Sequence, residues 1–141
     1  MNEGEHMKRG HLFGFEKYFS AAMLACGITW FWDFIASLYF PGQIALNLTL
    51  VSAVVYLEAA FLAAFGFTRR MPENQIPMGL RVGVAAWITN TLFRLLIFDL
   101  SEALLGVVVY LVSFLIGGVG GGLFAGVLHR NKDDLGVSRA N

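Results

Sequence analysis

The chain has 141 residues, no formal net charge, 57% hydrophobic residues and only 14% charged ones. Soluble domains run about one quarter charged and under half apolar, and a mean hydropathy of +0.64 departs in the same direction. This composition excludes a disordered chain and a nucleic-acid binder held by basic charge, and it argues against a water-soluble globule.

A bilayer core about 30 Å thick takes roughly 20 apolar residues of helix. Four apolar runs meet or approach that length, at about residues 18–40, 44–67, 82–98 and 103–128. Strand alternation is absent, which disfavours a transmembrane barrel. The pattern predicts an all-α integral membrane protein, a four-transmembrane-helix bundle running up-down-up-down. Residues 1–17 and 129–141 then form an N-terminal segment and a C-terminal tail.

The first run contains Asp33 and is too long for a cleavable signal peptide. The stretch before it, HLFGFEKYF, reads as the first turns of the same helix or as a short helix lying on the membrane surface. Pro41-Gly42 ends the first helix and allows a tight reversal. The second run holds Glu58 and leads into a polar connector with Pro72 and Pro77. The third carries Thr89, Asn90, Thr91 and Arg94 in a short span. A charge at a span centre costs about 2.5–3.5 kcal/mol, and each large apolar residue returns about 0.3–0.6 kcal/mol. The sum for this helix is close to zero, so it needs its neighbours to insert. Asp99 sits three residues before Glu102, a capping-box pattern that would start the fourth helix.

Basic residues fix the threading. Lys8, Arg9 and Lys17 precede the first helix; Arg69, Arg70 and Arg81 lie between the second and third; Arg130, Lys132 and Arg139 follow the fourth. The other two connectors hold no Lys or Arg. Both termini are therefore expected on the cytoplasmic side of the cell membrane, and any homo-oligomer is expected to be parallel.

Three ionisable residues, Asp33, Glu58 and Arg94, fall inside the predicted spans. Counted from the cytoplasmic ends of their helices, Asp33 and Arg94 share a level about 20 Å up, and Glu58 lies about 14 Å up, level with Asn90. Asn90 and Arg94 are four apart and share one helix face. The expectation is a polar seam facing the bundle interior, with Asp33 and Arg94 above and Glu58 and Asn90 below. Three readings of the upper pair stay open: an ion pair that fixes register, an Arg94 that snorkels outward, or a ligand or pathway role. Glu58, deepest and without a base at its level, suits a carboxyl that carries a proton, or one simply hydrogen-bonded to Asn90 or a backbone carbonyl.

In the fourth run Gly118, Gly122 and Gly126 recur every four residues, and Gly117 and Gly121 make an adjacent ridge. Lipid supplies little hydrophobic drive between helices, so close backbone approach over small residues supplies contact instead. The first expected partner is a glycine or alanine face in the same bundle, such as Ala59, Ala60, Ala63 and Ala64. A homo-oligomer seam comes next, and a hinge or a pore lining third.

Catalytic and cofactor signals are sparse. The three histidines, His6, His11 and His129, stand outside or at the edge of the spans, so no facing pair can hold a haem. The lone cysteine, Cys26, allows neither an intrachain disulfide nor a multi-cysteine metal site. No cofactor or metal is expected, and an enzyme is disfavoured. The first functional expectation is a small transporter or channel for a solute or ion, acting as a parallel homo-oligomer. Glu58, Asp33, Arg94 and Asn90 would line or couple its pathway. The alternative is a non-catalytic membrane subunit or assembly factor of a larger complex, docked through the glycine face. A lipid-modifying enzyme ranks third. The expected partners are the lipid bilayer and further copies or a membrane subunit, with no nucleic acid.

Overall fold

No proline interrupts the chain between Glu3 and Tyr39, and a single helix, α1 (Glu3–Tyr39), runs the whole way before stopping short of Pro41. The structure, a computed structural model, describes the backbone of residues 3–40, 46–70, 74–97 and 104–137. Side chains are described for 17–40, 49–70, 74–96 and 107–131. At 37 residues α1 far exceeds a bilayer core, and HLFGFEKYF forms its early turns rather than a separate surface helix. The other helices are α2 (Leu46–Thr68), α3 (Gln75–Ile97) and α4 (Leu104–Val137). The Pro41-Gly42 turn and the Asp99–Glu102 pattern lie outside the described residues.

The start of α1 at Glu3 precedes the expected residue 18, and two further boundaries differ from the sequence reading. α3 starts at Gln75, about two turns before Val82. Pro77 falls in its first turn, where the missing N–H would have had no helical partner. Asn74 turns the chain into the helix with a left-handed φ of 58°, and its carbonyl accepts from the Met78 N–H at 3.1 Å. Asn tolerates that conformation better than most residues. At the other end α4 continues through His129 to Val137, so most of the expected tail is helix.

The contacts give each helix its direction. Along α1, Cys26, Trp30 and Asp33 meet Ala86, Asn90 and Arg94 in ascending order, so α1 and α3 are parallel. Tyr18 meets Phe67 while Trp32 meets Ser52, so α1 and α2 are antiparallel. Gly117 meets Leu57 and Ala60 while Gly121 meets Ala64 and Phe65, so α2 and α4 are parallel. The bundle is up-down-up-down. α2 and α3 touch each other and both outer helices, and no contact joins α1 to α4 among the described residues. In section the helices make a rhombus with α2 and α3 across its short diagonal.

The two glycine ridges of α4 face different partners. Gly117 and Gly121 lie on the α2 backbone and on Ala60 and Ala64. Gly118 and Gly122 lie on α3, against Gly79, Gly83, Gln75 and Ile76. A methyl added at Gly118 would stand 2.5 Å from the Gly79 carbonyl oxygen and 3.1 Å from the Gly83 Cα. That backbone contact is what the missing side chains permit.

Packing runs small inside and large outside. Ala22, Ala25, Ala60, Ala64 and Ala86 are fully buried, whereas Phe31, Phe34, Leu62, Ile88, Leu92 and Ile116 are exposed. Three buried hydroxyls are satisfied within their own helices: Thr29 donates to the Cys26 carbonyl, Thr68 to Ala64 and Ser113 to Val109. Among the described residues three helices are long and apolar enough to cross a membrane. They are Lys17–Tyr39, Thr49–Thr68 and Val107–Asn131, with mean hydropathies of 1.5, 2.0 and 2.1. α3 is not one of them. It is the helix whose insertion balance comes out near zero from sequence.

Candidate functional site

Each of the four helices sends one long side chain into a cluster toward the end of the bundle away from the chain termini. Asp33 comes from α1, Tyr56 from α2, Arg94 from α3 and Tyr110 from α4. Arg94 Nη2 donates to Asp33 Oδ2 at 2.7 Å and also to the Tyr56 hydroxyl oxygen. The Tyr56 hydroxyl stands 2.8 Å from Oδ1 and 2.7 Å from Oδ2 of Asp33, and donates its one proton to that carboxylate. Arginine, tyrosine and carboxylate thus close a three-membered ring of charge-assisted hydrogen bonds with no net charge.

Aromatic faces back the guanidinium. Its Cζ lies 5.0 Å from the Tyr110 ring centroid and 5.7 Å from that of Tyr56, both within cation–π range. The two tyrosine rings are 4.5 Å apart, and Phe114 packs on Tyr56 at 5.5 Å. Tyr56 and Phe114 are fully buried, while the Arg94 and Asp33 side chains keep 24% and 27% of their exposure. The cluster is closed toward the core and partly open toward the outside.

Two indole bonds flank it. Trp30 Nε1 donates to Asn90 Oδ1 at 3.2 Å, and Trp32 Nε1 donates to Ser52 Oγ at 2.9 Å. Trp30 also packs on Phe93 at 4.2 Å. By contrast, the buried Nε1 of Trp87 meets no acceptor among the described residues.

The four residues singled out from sequence separate here. Asp33 and Arg94 pair. Asn90 is buried, beside Trp30. Glu58 joins none of them: it is exposed, on the outward stripe of α2 with Val51, Val54 and Leu62. The expected lower half of the seam, Glu58 on Asn90, is therefore not formed. The physical reason is angular. At about 100° per residue, Glu58 is displaced roughly 160° from Tyr56, so only one of the two can face inward.

Sequence alone singles out neither Tyr56 nor Tyr110, although a signal for Tyr56 is present. Tyrosine favours the interfaces of a span, yet Tyr56 stands mid-run, about 18 Å from the α2 C-terminus. A hydroxyl at that depth requires a partner.

At the opposite end an open cleft of about 450 Å³ lies at the start of α3, lined by Asn74, Gln75, Pro77, Leu123, Gly126 and Arg130. It does not reach the cluster. No group of three His, Cys, Asp or Glu side chains gathers among the described residues. Comparison with known proteins identifies no matching family model, curated protein or solved structure.

Proposed function

We propose that the chain is a multi-pass integral membrane protein that crosses the bilayer four times with both termini cytoplasmic, and that it works as a non-catalytic membrane subunit or scaffold. Bilayer residence is supported by the inverted packing, with alanine and glycine within and phenylalanine and leucine without. The threading is supported by Lys17, Arg69, Arg70 and Arg130, which gather at one end where His129 meets the Arg69 carbonyl at 2.9 Å. α3, too polar to insert alone, is carried by three apolar neighbours.

One observation favours a scaffold over a transporter: the charges inside the bundle are spent on each other. Asp33, Tyr56 and Arg94 close a ring, and glycine and alanine close the core below it. Such an arrangement specifies how helices pack and leaves the outer faces to meet partners. The test is flux in proteoliposomes carrying the purified native chain. Equal leak with and without protein, together with resistance of the chain to alkaline carbonate extraction, is the expected result. Ion or solute flux that Asp33→Asn abolishes in a still-folded protein would overturn it.

A second reading, the transport function expected first from sequence, rests on the partial exposure of Asp33 and Arg94. There a solute of opposite charge would compete for one partner and open the ring. The same flux assay decides between the two.

A further inference from the structure

Among the described residues, Glu58 on α2 and Arg81 on α3 are charged side chains that lie along the apolar length of the bundle and form no ion pair or hydrogen bond. Both are exposed, and both interrupt aliphatic stripes, Glu58 between Val54 and Leu62 and Arg81 below Val84 and Ile88.

The glycine ridges set their relative height. Gly117 of α4 rests between Leu57 and Ala60, which brackets Glu58. The next residue, Gly118, rests between Gly79 and Gly83, which brackets Arg81. Glu58 and Arg81 therefore share one level of the bundle, to within about half a helical turn. They point in opposite directions. α2 and α3 span the short diagonal of the rhombus, and each exposes the face turned away from the other. One side of the molecule presents an acid, and the far side presents a base at the same depth.

We propose that copies of this chain associate side by side in the bilayer, Glu58 of one protomer pairing with Arg81 of the next. A carboxylate in hydrocarbon calls for a cationic or donor group at its own depth. A parallel second copy brings Arg81 to that depth without any tilt or shift. The contact is head-to-tail, so an open assembly of any size keeps one free acid at one end and one free base at the other, and it grows as a row that closes into a ring where each contact turns the next copy. The aliphatic stripes on either side pack against each other and exclude lipid from the pair. This deepens the scaffold reading, because it names the outer faces the molecule uses, and it rests on residence in the bilayer.

The experiment measures oligomer size in lipid nanodiscs or mild detergent by light scattering. The native chain is expected to be oligomeric. Glu58→Gln and Arg81→Gln, both on exposed faces, are each expected to weaken association about tenfold or more. Mixing the two variants is expected to give a heterodimer, since one junction of the pair keeps both its charges. The exchanged protein, Glu58→Arg with Arg81→Glu, is expected to recover the native size. A monomeric native chain, or single variants of native size, overturns the proposal. Loss of association with Glu58→Gln alone, Arg81→Gln being native, also overturns it and points to a symmetric carboxyl pair. Carbonate extraction of the same samples separates the two levels. A chain that stays in the membrane yet never associates refutes the pairing alone, and a chain released by carbonate refutes the bilayer reading with it.

Discussion

The two ends of this bundle are held together by opposite means. From its middle toward the arginine-rich end, α4 lies on α2 and α3 through glycines, and the contact is backbone on backbone. At the other end Asp33, Tyr56, Arg94 and Tyr110 reach across from four helices and meet at their tips. In the bilayer proposed above, neither device relies on the hydrophobic effect, which gives little between helices surrounded by lipid. The first depends on shape and tolerates no added volume. The second depends on charge and tolerates volume at its edges.

The sharpest way to break this comparison is to add volume to the seam. In Gly118→Val the new side chain would strike the Gly79 carbonyl and the Gly83 backbone, neither of which can swing aside as a side chain could. The expected loss is about 3 kcal/mol, the upper end for overpacking, read as thermal unfolding in detergent. A melting point within about 2 °C of the native chain would show that α3 and α4 do not touch.

Next in size is the removal of charge from the polar end. Asp33→Asn and Arg94→Gln are each expected to cost about 2 kcal/mol. Fully buried pairs cost about 3–5 kcal/mol when one partner is lost, and the partial exposure of this pair reduces that. The double variant is expected to cost clearly less than the sum, because the second change removes a charge already stranded by the first. Additive losses would mean that the two residues do not act as a pair.

Much of this comparison was legible in the chain itself. Run lengths and the connectors between them indicated four helices, and counting depths put Asp33 level with Arg94. The glycine spacing indicated two ridges on α4. What was missed has a common cause. Depth along one helix follows from counting, but the level across helices and the direction a residue faces require the neighbours' positions. Glu58 misses Asn90 in both depth and direction: it stands level with Arg81, about 13 Å along α3 from Asn90, and it faces outward, while Tyr56, two residues away, faces the cluster. Likewise Gly79 and Gly83 had no visible role until α3 was found to begin at Gln75. Pro77 reads as a connector residue in the sequence, which hides the first two turns of that helix.

A smaller effect separates two tryptophans. Trp30→Phe removes the indole donor to the buried Asn90 carbonyl oxygen, and about 1 kcal/mol of stability is expected to go with it. Trp87→Phe removes a buried donor that has no acceptor among the described residues, so the change is expected to be neutral or slightly stabilising. Parallel melts of the two variants sharpen the account of the polar end. If both lose stability equally, ring packing rather than hydrogen bonding holds this region.

The smallest expected effect tests whether glycine in this protein always answers to packing. Gly27 on α1 and Gly66 on α2 have open space where a Cβ would stand. Alanine lowers the entropy of the unfolded chain and favours the helix, so Gly27→Ala and Gly66→Ala are each expected to gain up to about 1 kcal/mol. Thermal unfolding of a monomeric preparation reads that gain. The same substitutions in the native assembly carry a second meaning. Should Gly27→Ala stabilise the isolated chain yet weaken association, a neighbouring helix must lie on that face of α1. The glycine would then have the same close-packing role between molecules that Gly118 has within one.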